Sequence, residues 1–554
     1  MKNKKKLNIK KFKEYENFYK FIIIFSIGTF LFFLIYGFEA FKIFPQPFND
    51  NDYLLYQGSY YAFINSSFDI PVFYTDKLFI DKETNLIFGD YIPIYSLSLK
   101  LINNIFSIKI LDPFMFWIYL NTLLFFYFSF KIFSLSSKLL FYECILGAAI
   151  ISTLPLSPYK FLYHSGESSH FVIVAGIYFY CKTKENTNYL YYLAILTSLT
   201  LWIHFYLFAI LCGVLFISVL KYIFNFKIVI KTSLSFLIFS LVIFYLSFES
   251  ITSFLSSLET EIITPFNPRW SAEFNSFFCS YNNPIFLNEF LKCYEPFTTR
   301  DIESYAYLGL GIIIFLPIVF YKKDLNKALI KNNISITILS LIYLFFSFGN
   351  RVKIAHKQVY EYSFTPIHLK LIEVFRAHGR FVYLFYYLLA FLIIYNLFLF
   401  NREKKSKVFV LIIFLLIQSG DLTRQYLGTD LNLFRVQSVE NEILLTAQKS
   451  APNLNYRLFI YPPDNCDEDY DMYLFAKEFL KFGGSISSSR IRGGSNYKNC
   501  ESININSSLL DYQPKHFLIT NSAFLQFREL IESNYLCQIM SGEYKNDYIH
   551  YCQT

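Results

Sequence analysis

Asp50 and Asp52 follow shortly after the first long apolar stretch, in PQPFNDNDYLLYQGSYY (Pro45–Tyr61). A carboxylate in such a position can take a proton from an attacking hydroxyl. Asp52 together with Asp90 could instead supply oxygen ligands to a hard divalent cation such as Mg2+ or Mn2+. The competing reading of all three is a solvated loop residue or a helix N-cap ahead of the apolar run that follows. Asp90 belongs to IFGDYIPIYSLSLK (Ile87–Lys100), whose closing Lys100 has a stem long enough to reach an anionic headgroup.

A second group of residues points to phosphate. Residues 350–380 carry Arg351, Lys353, Lys357, Lys370, Arg376 and Arg380, with His356, His368 and His378 among them. Arginine binds phosphate oxygens through paired, charge-assisted hydrogen bonds. In VFRAHGRF (Val374–Phe381) Arg376 and Arg380 stand four apart, on one face if that stretch is helical. The plainer alternative is contact with lipid headgroups and no chemistry. Further candidates are Glu303 in DIESYAYLGLG (Asp301–Gly311), His204 between two short apolar segments, and His164 and His170 in YHSGESSH. Glu303 also suits a helix N-terminus through the dipole, and the histidines also suit a solvated interface.

These residues are embedded in an apolar chain. Of 554 residues, 54% are hydrophobic and 17% charged, which excludes an ordinary soluble enzyme. The net charge of +8 is uneven, because residues 1–20 hold eight lysines against Glu14 and Glu16. A basic segment running into Phe21–Phe38 predicts a cytoplasmic anchor before a first membrane helix and gives no reason to expect nucleic-acid binding. Ten more apolar segments are predicted near 113–131, 138–155, 169–183, 189–203, 204–220, 229–248, 304–320, 331–349, 381–400 and 407–420. Eleven crossings put the lysine-rich short connections on the cytoplasmic side, as the positive-inside rule asks. The long segments 39–112, 249–303, 350–380 and 421–554 then all lie outside, and Tyr91–Phe106 reads as interfacial or re-entrant. Aromatics reach 21%, but Phe, Tyr, Ile, Asn and Lys share AT-rich codons, so this count carries little functional weight.

Cysteine placement agrees with that topology. Cys279 and Cys293 share one outer segment; Cys466, Cys500, Cys537 and Cys552 share the tail, where three pairings are open. The tail, 421–554, has strand-like runs at Tyr456–Tyr461 and His516–Thr520, a helix-like run at Met472–Lys481, and a Gly/Ser-rich loop lacking the order of a phosphate loop. It reads as a small α/β domain. The expected fold class is therefore an all-α polytopic membrane protein with three parts: a basic N-terminus (1–20), a transmembrane domain (21–420), and a small extracytoplasmic α/β domain.

In this order the motifs resemble bacterial polytopic membrane proteins of the GT-C glycosyltransferase superfamily, specifically an uncharacterised family within it. The resemblance rests on Asp50/Asp52 with Gln57-Gly58, Gly89–Pro93 with Lys100, and His164–His170. IHFY (Ile203–Tyr206), ESYAYLGLG (Glu303–Gly311) and FRAHGRF (Phe375–Phe381) complete it, so that it spans most of residues 20–400. It implies transfer of a sugar from a polyprenyl-phosphate donor to a glycan, lipid or protein acceptor outside a bacterial inner membrane. Asp50 or Asp52 would be the base, Asp90 a second acid that orients substrate or metal, and Arg376 and Arg380 the groups that neutralise the departing phosphate. His164 stands where a more strongly basic residue is expected. A transporter or flippase of lipid-linked saccharide is the main alternative. It would concentrate ionisable groups or broken helices at the membrane midplane, often in repeated halves, and neither is evident here.

Overall fold

The computed structural model describes residues 2–37, 51–75, 77, 84–87, 91–106, 114–163, 166–249, 252, 271–279, 305–317, 330–354, 357–363, 375, 377–400, 404–427, 457–461, 480, 485–486, 516–520, 524–525, 527–540 and 549–553. Ten of the eleven apolar segments fall on apolar helices among the described residues. Five helical stretches are long and apolar enough to cross a membrane: Phe18–Tyr36, Phe114–Phe133, Phe141–Lys160, Phe226–Ser247 and His378–Leu399. Five more apolar stretches are shorter, at Phe171–Lys182, Tyr189–Thr200, Phe205–Leu220, Ile334–Ser347 and Val408–Leu422. The segment expected at 304–320 contains only the short helix Leu310–Phe315. Twelve residues of helix rise about 18 Å, against a hydrocarbon core of about 30 Å, so the shorter stretches need their flanking turns to reach across.

In chain order the first elements are α1 (Lys2–Tyr36), α2 (Asn51–Ile64), α3 (Pro93–Phe106), α4 (Phe114–Phe133), α5 (Phe141–Ser152), α6 (Leu156–Tyr163), α7 (Phe171–Lys182), α8 (Tyr189–Thr200), α9 (Phe205–Leu220) and α10 (Phe226–Ser247). Gly37 closes α1 at φ 84°, its N–H returning to Phe33 O at 2.9 Å. Leu140 N–H donates to Glu143 Oε2 at 2.8 Å and starts α5. Pro155, which has no N–H to give, divides α5 from α6. On α10 the side chains Ile230, Leu234, Leu237, Leu241 and Tyr245 are exposed along one face, as a lipid-facing helix requires.

The two ends of the bundle differ. At one end the long loops interlock: Val72 N–H donates to Leu246 O at 2.8 Å, Ile94 N–H to Trp202 O at 3.0 Å, and Ala272 N–H to Ser347 O at 2.8 Å. Asn85 Nδ2 reaches Ser247 O at 2.7 Å. At the other end the lysine-bearing connections meet. There Lys184 Nζ donates to Asn333 Oδ1 at 2.9 Å, and Lys221 Nζ lies 3.3 Å above the Tyr180 ring.

Short antiparallel pairs decorate the loop end: β1 (Tyr74–Thr75) with β2 (Thr84–Asn85), and β3 (Arg351–Ile354) with β4 (Lys357–Glu361). The tail forms a five-stranded mixed sheet from β5 (Arg457–Tyr461), β6 (Ser485–Ile486), β7 (His516–Thr520), β8 (Leu536–Met540) and β9 (Ile549–Gln553), in the order β6-β5-β7-β9-β8. Parallel pairing of β5 with β6 and β7 fits the expected α/β tail. Cys537 and Cys552 face each other across β8 and β9 and are disulfide-bonded, which resolves one of the open pairings. Cys279 is also disulfide-bonded; its expected partner Cys293 lies outside the described residues, as do Cys466, Cys500 and, Leu480 apart, the run Met472–Lys481. The tail touches the first loop where Asn65 Nδ2 donates to Leu480 O at 2.7 Å.

The extended segment before Leu310–Phe315 depends on Gly309, at φ 85°. A Cβ there would collide with the Gln418 side-chain amide, and Asp421 Oδ2 accepts the Leu310 N–H at 2.8 Å one residue on. Gly309→Ala is expected to destabilise the protein by about 1–3 kcal/mol from backbone strain, with the collision added. Thermal melting of the single variant and of Gly309→Ala with Gln418→Ala checks this; the second change should recover only the steric part.

Candidate functional site

Three segments separated in sequence converge at the loop end. The break at Pro155 directs α6 so that Lys160 is fully buried, and the turn between α6 and α7 brings Glu167 against it, Nζ to Oε1 at 3.0 Å. The 3-10 turn His378–Phe381 that opens helix Val382–Phe400 delivers Arg380, whose Nη2 lies 3.2 Å from Glu167 Oε2. Tyr383 also donates its hydroxyl to Glu167 Oε1. The turn between α8 and α9 supplies the third side. Arg380 Nη1 lies 3.5 Å from His204 Nε2, and the guanidinium carbon sits 4.6 Å above the Tyr206 ring. Tyr206 is itself held by the Ala377 N–H, donated to its hydroxyl at 2.9 Å.

The arrangement is electrostatically pointed. Lys160 and Arg380 share Glu167, so these three side chains together carry one net positive charge, in a setting where each is almost wholly buried. Burying charge is costly unless it is paired, and Glu167 pairs both cations while His204 and the Tyr206 ring hold the guanidinium in place. Aromatic rings complete the wall. His170 Nδ1 is 2.6 Å from the Tyr387 hydroxyl, and its ring lies 4.6 Å from that of Tyr383. Tyr386 donates to Tyr307 O at 2.8 Å. The tyrosines at 383, 386 and 387 thus occupy one helix face and spend their hydroxyls on two other segments, Tyr383 and Tyr387 on the stretch that leads into α7 and Tyr386 on Tyr307.

Of the residues singled out from sequence, Arg380, His204 and His170 are brought together here. His378 is buried nearby but turns elsewhere, its Nε2 3.0 Å from Ser271 Oγ, where it ties 271–279 to the bundle. Lys100 is buried at the C-terminus of α2 and donates to Phe63 O at 2.9 Å, Ser66 Oγ at 2.9 Å and Ser67 O at 2.8 Å. Those contacts suit a helix C-cap more than a headgroup. Lys100→Met should cost on the order of 3 kcal/mol, since charge-assisted bonds to these acceptors are lost. Faster hydrogen exchange over the end of α2 would report it. Asp50, Asp90, His164, Glu303 and Arg376 lie outside the described residues; Asp52 falls in α2, with its side chain outside them. The metal suggested for Asp52 and Asp90 therefore lies outside them too. Among the described residues no group of three His, Cys, Asp or Glu could hold a metal ion.

Lys160 and Glu167 were not singled out from sequence. The candidates in YHSGESSH were its histidines; its glutamate and the lysine one turn upstream were not among them. The usable signal was a lysine and a glutamate close together in an otherwise apolar stretch, where each needs a partner.

A family described as "Domain of unknown function (DUF6311)" matches residues 25–423. A search of curated proteins finds no match.

Proposed function

The chain belongs to the DUF6311 family, whose matched region holds every residue of the buried cluster, and on that premise we propose that it is a membrane glycosyltransferase using a polyprenyl-phosphate sugar donor. In this reading all eleven apolar segments cross a bacterial cytoplasmic membrane. The N-terminus is cytoplasmic, and the loop end and tail face outward. The acceptor is an extracytoplasmic glycan, lipid or protein. The observation that carries the proposal is the convergence of Lys160 and Arg380 on Glu167, beside His204 and Tyr206, at the mouth of the bundle.

The chemistry follows from charge. An acceptor hydroxyl oxygen forms a bond to the anomeric carbon as the bond from that carbon to the donor phosphate oxygen breaks. The bonding pair leaves with the phosphate, so negative charge grows there and the cationic pair stabilises it more in the transition state than in the ground state. The hydroxyl proton passes to a carboxylate of the first loop, Asp50 or Asp52. Loss of lipid-linked sugar, followed by mass spectrometry in nanodiscs with a membrane-lipid extract as acceptor, tests the assignment. Wild type should consume donor, and one of Asp50→Asn and Asp52→Asn should stop it. Consumption that survives both changes would remove those residues from the role of base.

A further inference from the structure

A second cavity lies away from this cluster, toward the lysine end. It encloses about 530 Å³ between α4, α7, helix Ile334–Ser347 and helix Val382–Phe400, and its walls include Ile177, Ile336, Leu388 and Leu392. Its lining runs along helix Val382–Phe400 from Phe385 to Tyr395, about 15 Å of helix at ~1.5 Å per residue. That length matches one leaflet of a hydrocarbon core about 30 Å thick.

The lining changes character at one end. Ser136 and Asn333 stand beside Tyr395, with Ser136 Oγ 3.0 Å from the Tyr395 hydroxyl. Just beyond, Lys184 Nζ donates to Asn332 O and to Asn333 Oδ1, and the lysine stays exposed. Lys331 and Lys138 are exposed within two residues of Asn333 and Ser136 respectively. An apolar slot one leaflet deep, with a hydroxyl- and amide-lined mouth ringed by lysines, complements a molecule with a long hydrocarbon chain and an anionic head. Basic pockets between membrane helices on the cytoplasmic side bind anionic lipid headgroups.

We infer that this slot is a binding site for an anionic phospholipid of the leaflet facing the lysine end: one acyl chain lies along Phe385–Tyr395 and the headgroup rests on Lys184 and Lys331. The inference rests on the membrane placement of the helices and is independent of the transferase reading, since no residue of the slot belongs to the Lys160–Glu167–Arg380 cluster.

Native mass spectrometry of the delipidated full chain tests it, with dipalmitoyl phosphatidylglycerol and dipalmitoyl phosphatidylcholine offered at equal concentration. Wild type should retain one phosphatidylglycerol with about thirtyfold preference, the scale expected when two lysines meet an anionic headgroup. Lys184→Ala combined with Lys331→Ala should reduce that preference toward equal retention. Thr337→Phe and, separately, Leu388→Trp should fill the slot and abolish retention of both lipids. Equal retention of the two lipids by wild type would overturn the inference. So would phosphatidylglycerol retention that persists in both slot-filling variants, or displacement of the phospholipid by a polyprenyl phosphate that those variants also exclude. None of these outcomes alters the donor-consumption test, so failure here and failure of the proposed function are distinguishable.

Discussion

Glu167→Gln should lower the melting temperature by several degrees, the largest stability loss expected from any single change in the cluster. Gln keeps the size and much of the hydrogen bonding but removes the charge that Lys160 and Arg380 share. Breaking a buried ion pair by neutralising one partner costs about 3–5 kcal/mol, because the other charge stays buried without compensation. Here two cations lose the carboxylate they share. Adding Lys160→Met should therefore restore part of the loss, since it removes one of those charges and leaves an apolar chain in its place. Thermal unfolding of the wild type, the single variant and the pair in one detergent measures both effects. A single variant melting within a degree of wild type would mean that the cluster is solvated, and the electrostatic argument would fail with it.

Arg380→Lys should cut donor consumption by about 100-fold, the scale of losing one prepositioned charge-stabilising donor, while leaving the fold largely intact. The substitution keeps the positive charge near Glu167. It gives up the planar fork, the approach to His204 and the stacking on Tyr206, none of which an ammonium reproduces. A stability role alone would behave differently, because retained charge would then preserve activity. Comparing turnover with melting temperature for Arg380→Lys and Arg380→Gln separates the two. The lysine variant should lose turnover with little change in melting, and the glutamine variant should lose both.

Much of the architecture was legible because membrane burial leaves a coarse signal. Runs of apolar residues long enough to span, lysines clustered between them, and six of the nine cysteines placed in the longer segments each constrain topology through one simple rule. The strands at 457–461 and 516–520 were legible for a similar reason, being short β-branched and aromatic runs outside the apolar domain. The apolar segment near 304–320 was less so: Gly309 and the Asp421 cap set the start of its described helix at Leu310, and both effects depend on partners distant in sequence.

The site was legible only in part. Arg380 and His204 stood out because ionisable residues beside apolar runs are costly. Glu167 and Lys160 did not, because a charge in a short loop looks solvated until a third segment is known to close over it. The tyrosines Tyr383, Tyr386 and Tyr387 were hidden by a composition rich in aromatics. Their significance lies in which segment each hydroxyl reaches, and that is a property of the packed bundle.

The central claim is that the cationic cluster receives a lipid-linked phosphate. Native mass spectrometry of the full chain with polyprenyl phosphate, comparing wild type with Arg380→Gln and with Lys184→Ala as a change at the opposite end, tests it most directly. The account predicts one polyprenyl phosphate retained by wild type and by Lys184→Ala, and loss of retention in Arg380→Gln. Equal retention by all three proteins would contradict it.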